Sequence, residues 1–225
     1  PAPRTAPSEP AQKEQRMKWN RRSLLAGSTL AAAAATTGLA PLGAWAQGKK
    51  DTLTLALVLE PPGLDPTASA ASSIGEVVLY NVFETLTKIN PDGSVSPLLA
   101  ESWEVSPDLK TYTFRLRRGV AFHNGAPCNA AAVKFSFERA GSDKSTNKDK
   151  RTFANLRVQV VDDHTVVLIN QDIEPDLLFL RGQATAIVVE PKSAATNATK
   201  PVGTGPYRLD HWAKGAALTL ARWDG

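Results

Sequence analysis

Three histidines, one cysteine and a few clustered charges are the side chains of this 225-residue sequence whose chemistry could go beyond folding it. His123, His164 and His211 are scattered along the chain, whereas zinc ligands come in close pairs, so no metal site is expected. His123 stands before Asn124-Gly125 and reads as a turn histidine. Asp162-Asp163 is a turn pair with no visible acid/base partner. Cys128 cannot form an internal disulfide on its own. It sits where a loop enters a helix, a place that can lower a thiol pKa. Yet no His and Asn or Asp set stands at a recognisable spacing to use it as a nucleophile, so a small semi-apolar residue in a tight corner is the favoured reading. Gly203-Thr204-Gly205 lacks the Lys and the following helix of a phosphate loop. Arg115, Arg117 and Arg118 read as a solvated strand face. The sequence therefore nominates no catalytic residue and no cofactor. A secreted hydrolase stays as an alternative, but it needs a nucleophile–base set that is not visible.

Charge narrows the partners. The formal net charge is +4, and all of it comes from residues 1–46, with six basic and two acidic side chains. Residues 47–225 hold equal numbers of acidic and basic groups. Without a basic patch there is no electrostatic case for nucleic acid or an anionic membrane surface.

Residues 1–16 are Pro-rich and polar, without an apolar period, and are expected to be upstream or disordered sequence. Met17 is the single methionine. From it run Lys18, Arg21 and Arg22, an apolar stretch from Leu24 to Ala40, Pro41, and Ala44-Trp45-Ala46. That is the order of a secretory signal: charged start, apolar middle, small-residue cleavage site. Arg21-Arg22 before Ser23-Leu24-Leu25 resembles a twin-arginine export signal. A membrane anchor is disfavoured. A spanning helix takes roughly 20 strongly apolar residues, and this run is rich in Ala, Thr and Gly. Residues 17–46 thus read as a signal peptide and 47–225 as the exported part, periplasmic in a bacterium.

The elements that must position any site follow from periodicity. Thr52–Leu59 alternates with period two and predicts a strand; Ile74, Val77, Val78, Val82 and Leu86 predict a helix over Ser72 to Thr85. Asn90-Pro91-Asp92-Gly93 is a turn. Glu101–Val105 and Thr111–Arg117 predict paired strands, with Tyr112, Phe114 and Leu116 on one face. Asn129 is placed to cap a helix from Ala130 to Ala140, stopped at Gly141. Ser142–Arg151 predicts a mobile polar loop, and Val158–Val161 with Val166–Ile169 a hairpin. A short helix over Pro175–Arg181, a short strand over Ile187–Val189 and a hairpin of Tyr207–Trp212 with Leu218–Ala221 complete a mixed α/β (α+β) chain. Trp103, Tyr112, Phe114, Phe122, Phe135 and Phe137 are the expected aromatic core.

Four segments in order resemble the peptide/oligopeptide/nickel-binding family (family 5) of ABC-transporter periplasmic solute-binding proteins. They are Glu60-Pro61-Pro62-Gly63-Leu64-Asp65-Pro66; Asn81-Val82-Phe83-Glu84-Thr85-Leu86; the run from Pro97-Leu98-Leu99-Ala100-Glu101-Ser102-Trp103 through Phe122-His123-Asn124-Gly125 to Val133–Arg139; and Val202-Gly203-Thr204-Gly205-Pro206-Tyr207. The resemblance implies a periplasmic binding protein type II-like fold, here the first lobe only, with the second lobe absent and the chain truncated. It implies a monomer that binds a peptide or related small solute and delivers it to ABC permease membrane subunits, without catalysis. It also implies a ligand-pairing segment just after the Asp-Pro step, which by position is Ala70, Ala71 and Ser72. A truncated product without ligand binding is the alternative at this level. Cys128-Asn129 and the ending Arg222-Trp223-Asp224-Gly225 depart from the family pattern.

Overall fold

The computed structural model describes residues 51–225, and residues 55–225 form one compact unit. The leader, with its expected boundaries at Met17 and Ala46, lies outside the described residues.

The frame is an antiparallel four-stranded sheet in the order β3-β4-β6-β5, built from β3 (Ala100–Val105), β4 (Thr111–Leu116), β5 (Leu156–Asp162) and β6 (Thr165–Asn170). The alternation of β4 sets its inner face: Tyr112, Phe114 and Leu116 are buried and Arg115 is exposed. Phe114 pairs with Trp103 on β3 and Val166 on β6, so one register aligns three strands. Helix α2 (Ala130–Gly141) covers this face. Asn129 starts it by accepting the Ala132 N–H at 3.1 Å, which satisfies one of the donors a helix start leaves free. Two short helices, α3 (Lys150–Ala154) and α4 (Leu177–Leu180), close the same core through Phe153 and Leu177.

Arg181, at the end of α4, is 1% exposed and lies 5.4 Å from the Phe137 ring and 4.6 Å from the Phe153 ring. Its Nε and one Nη have no hydrogen-bond partner, and burial pulls its pKa down to about 10. It is a buried cation packed against two rings, with Glu174 and Asp149 acting on it only from beyond ion-pair distance.

A second core gathers Leu64, Ile74, Val78, Val82, Phe83, Ile187 and Val189 around helix α1 (Ser72–Val78), against hairpin β7 (Tyr207–Ala213) with β8 (Ala217–Arg222). The loop Gly203-Thr204-Gly205 lies against Asn81-Val82. A Cβ on Gly203 would come within 1.8 Å of the Val82 carbonyl oxygen, and one on Gly205 within 2.4 Å of the Asn81 oxygen. The Gly205 N–H donates to Val82 O and the Tyr207 N–H to Asn81 O. The glycines are therefore there for close backbone approach.

The structure revises several expectations. Thr52–Leu59 forms no strand, and Leu53, Leu55 and Val58 are 81%, 71% and 97% exposed. Alternation makes a strand only where a sheet edge accepts it, and among the described residues none does. The helix expected to reach Thr85 ends at Val78. Tyr80 turns it off with φ of 59°, and Asn81 Nδ2 donates to Val77 O instead. Val82, Phe83 and Leu86 are still buried, so they continue the apolar pattern without the helix. A small hairpin, β1 (Thr87–Ile89) with β2 (Val95–Pro97), flanks the Asn90–Gly93 turn and was not foreseen. Ile187–Val189 is buried but is not a strand. The 142–151 segment is pinned: Asn147 is 4% exposed and its Nδ2 donates to Thr185 O. Trp103 and Phe135 are only half-buried; Trp103 packs at the sheet edge, 6.3 Å from Phe114.

Candidate ligand-binding segment

The stretch that leads into α1 is fixed at one end by charge. Asp65 is 2% exposed. Its Oδ1 accepts the Thr67 N–H at 2.9 Å and the Thr67 hydroxyl at 2.6 Å, and its Oδ2 accepts Arg139 Nη2 at 2.7 Å. Arg139 also donates to the Thr67 hydroxyl and to Ala194 O. Just before, Leu64 is buried and donates its N–H to Ala198 O. Leu64–Thr67 is thus clamped to α2 and to the 194–198 turn.

Beyond the clamp the chain surfaces. Ala68, Ala70 and Ser72 are exposed, while Ser69 and Ala71 are half-buried. Ala71 is extended, with φ −67° and ψ 124°, and immediately precedes α1. The Thr146 hydroxyl donates to Ala68 O at 2.7 Å, and the Ala71 N–H reaches Ser69 Oγ at 3.4 Å. Ile74 N–H closes onto Ala71 O. Among the described residues no group hydrogen-bonds the N–H or C=O of Ala70. A segment of this kind has no side chain to act as acid, base or nucleophile. Its chemistry is that of a peptide group held extended at the surface, which can pair with another peptide group.

The structure brings Ala70, Ala71 and Ser72 together on this one stretch. What sequence reading missed is the clamp. Asp65 and Arg139 are far apart in the chain, and the signal available was only an acid beside Pro66 and an Arg on α2.

The residues considered for other chemistry are engaged structurally. His123 Nδ1 accepts the Gly203 N–H at 3.3 Å and its Nε2 pairs with Gly205 O at 2.9 Å, which fixes the neutral Nε2–H tautomer. Burial pushes its pKa below the ordinary histidine value. Burial likewise pushes the Cys128 thiol up to about 12, which leaves it protonated and unreactive near neutrality. Asp162 accepts the His164 N–H in its turn. Among the described residues no group of three or more His, Cys, Asp or Glu could hold a metal ion. No helix there is long and apolar enough to cross a membrane.

A family model described as bacterial extracellular solute-binding proteins, family 5 Middle, matches residues 94–225. The glutathione-binding protein GsiB of Salmonella choleraesuis (strain SC-B67) is 36% identical over 154 residues, 66% of this chain and 30% of its own length. GsiB of Pectobacterium atrosepticum is 31% identical over 204 residues, 87% of this chain and 38% of its own length. Among solved structures, the PBP AgaA in complex with agropinic acid superposes with a TM-score of 0.68 at 30% identity, over 73% of this chain and 34% of AgaA. Haemophilus influenzae OppA in complex with a peptide shares the fold, with a TM-score of 0.66 at 24% identity, over 72% of this chain and 36% of OppA.

The mixed helix-and-strand fold is that of part of a type II periplasmic binding protein. The chain belongs to the bacterial extracellular solute-binding proteins, family 5. It spans between 30% and 38% of the length of these two curated relatives.

Proposed function

We propose that this chain is part of an extracytoplasmic binding protein of an ABC importer, that it holds a peptide or related small solute along Ala70, Ala71 and Ser72, and that it delivers the solute to membrane permease subunits. Residues 17–46 act as a twin-arginine-type signal, and the exported part works in the periplasm as a monomer, without nucleic acid. The observation that carries the reading is the unpaired Ala70 peptide group, next to the extended Ala71 and the Asp65–Arg139 clamp, in a chain of this family. The relatives named for glutathione and the neighbour solved with agropinic acid support a small ligand, and the OppA neighbour solved with a peptide supports a peptide.

Backbone pairing at one surface is weak, because each hydrogen bond nets only about 0.5–1.5 kcal/mol. That does not offset an association cost of about 4–15 kcal/mol. The chain on its own is therefore expected to bind peptides no tighter than about millimolar. The test is a titration of the whole chain with glutathione and a tripeptide, followed through amide NMR shifts. Shifts centred on Ala70–Ser72 that vanish in Ala70→Pro support the reading. Saturable shifts confined elsewhere, or untouched by Ala70→Pro, refute the segment, and a micromolar affinity refutes the open-surface argument.

A further inference from the structure

Away from Ala70–Ser72, a cleft of about 350 Å³ opens where five stretches of chain meet. Glu84 comes from the segment after α1, Leu98-Leu99 from the approach to β3, Arg117 from the end of β4, Thr204 from the Gly203–Gly205 loop, and Trp223 from beyond β8. We propose that this cleft binds a small amino-acid-like zwitterion, its ammonium on Glu84 and its carboxylate on Arg117.

Three observations converge on it. Glu84 and Arg117 face one cleft, yet among the described residues neither belongs to an ion pair within 4.0 Å, with each other or with any other side chain. A half-buried carboxylate and a guanidinium that share a cavity without direct ion-pair contact leave room for a ligand that carries both complementary charges. Second, Thr204 is 7% exposed, lines the cleft, and its hydroxyl has no hydrogen-bond partner. A buried hydroxyl left unmatched is unfavourable and becomes favourable when a ligand supplies the partner. It lies near enough to the Glu84 carboxylate to favour its charged form, though without good hydrogen-bond geometry. Burial acts on that carboxylate in the opposite direction and more strongly, raising its pKa, so an incoming ammonium would meet a charge that water screens poorly.

Third, the cleft has rigid polar and aromatic walls. Arg117 Nε is anchored on Leu98 O, which leaves the far end of the guanidinium to reach a carboxylate. The Gly203–Gly205 loop is fixed against Asn81-Val82 and His123. Trp223 is held edge-on against the His123 ring at 4.9 Å between centroids and forms one side of the cleft. A volume at the low end of the ~300–1,000 Å³ range of ligand pockets suits one amino acid.

The test uses the whole chain with L-alanine as probe, and ethylammonium and propionate as its two half-ligands, read by NMR titration at the Trp223 indole and Thr204 amide. L-alanine is expected to bind saturably. Its affinity should fall about tenfold or more in Glu84→Gln and in Arg117→Gln, as expected for losing a charge-assisted contact. Ethylammonium should respond to Glu84→Gln alone and propionate to Arg117→Gln alone. Arg117 is exposed, so its variant is expected to fold normally, and amide dispersion checks both. The proposal is overturned if L-alanine does not saturate, or if its affinity is unchanged in both variants. A peptide response at Ala70 lost or kept leaves this result unaffected.

Discussion

Arg139, in the last turn of α2, places Nη2 2.7 Å from Oδ2 of Asp65, a carboxylate with 2% of its side chain exposed. The pair ties the Asp-Pro step to the helix that covers the main sheet. It is the point where the larger core and the candidate segment become mechanically one. Removing one partner from such a pair leaves a buried charge unmatched, which typically costs about 3–5 kcal/mol. Arg139 keeps a quarter of its side chain in water. Arg139→Met is therefore expected near the low end, about 3 kcal/mol, in urea unfolding. Asp65→Asn in the same background should recover part of the loss. A change within about 0.5 kcal/mol, the range of ordinary surface substitutions, would show that the clamp does not bear on stability.

Arg181 predicts the opposite sign. Its guanidinium lies between Phe137 and Phe153 with two nitrogens unmatched. An apolar side chain of similar length removes the desolvation penalty and keeps the packing. Replacing buried charges in this way is often neutral or stabilising by about 1–4 kcal/mol. Arg181→Met should raise the unfolding midpoint or leave it unchanged; a clear drop would mean that the two rings fully compensate the charge.

His123 should make stability fall with acid. The folded chain holds it neutral, with Nδ1 accepting a backbone N–H, and its pKa is depressed by burial. Above the ordinary histidine value of about 6.5 neither state binds the proton, so the contribution is flat. Below it the unfolded chain takes up a proton that the folded chain refuses, and folding loses stability until the folded pKa is reached. The slope just below about pH 6.5 should shrink in His123→Gln. An unchanged slope would assign it to other groups.

Gly203→Ala is expected to destabilise strongly, since the added methyl would fall within 1.8 Å of the Val82 carbonyl oxygen. Overpacking typically costs about 1–3 kcal/mol, and backbone contact of this kind belongs at or above the upper end. Thermal unfolding reads it directly. A near-neutral result would show that the loop can retreat from Asn81-Val82 without loss.

Replacing Arg21 and Arg22 together by Lys should keep the chain in the cytoplasm, uncut after Ala46. Fractionation and N-terminal sequencing would check this. Normal export of the double variant would replace the twin-arginine reading with a general secretory one.

Sequence was a good guide wherever structure is decided locally. The alternation of Tyr112, Phe114 and Leu116 needed only the period of a strand, the Asn129 cap only its own side chain, and the Asn90–Gly93 turn only the left-handed freedom of Gly93, with φ 82°. Periodicity misled where burial continued without regular structure, as at Val82 and Phe83, whose helix had already been stopped by Tyr80. Contacts between distant stretches left no local trace. Asp65 with Arg139, and Glu84 with Thr204 and Trp223, become neighbours only after the chain has folded. The candidate segment itself was placed by family resemblance, since Ala70–Ser72 carries no distinctive side chain.

Leu55-Ala56-Leu57-Val58-Leu59 lies exposed outside any helix or strand, with no charge and no proline. Such a stretch is a template for an incoming strand, and no gatekeeping residue interrupts it. For anyone handling the protein, the expected consequence is self-association that rises with concentration. Leu57→Lys is the smallest sequence change expected to interrupt that template.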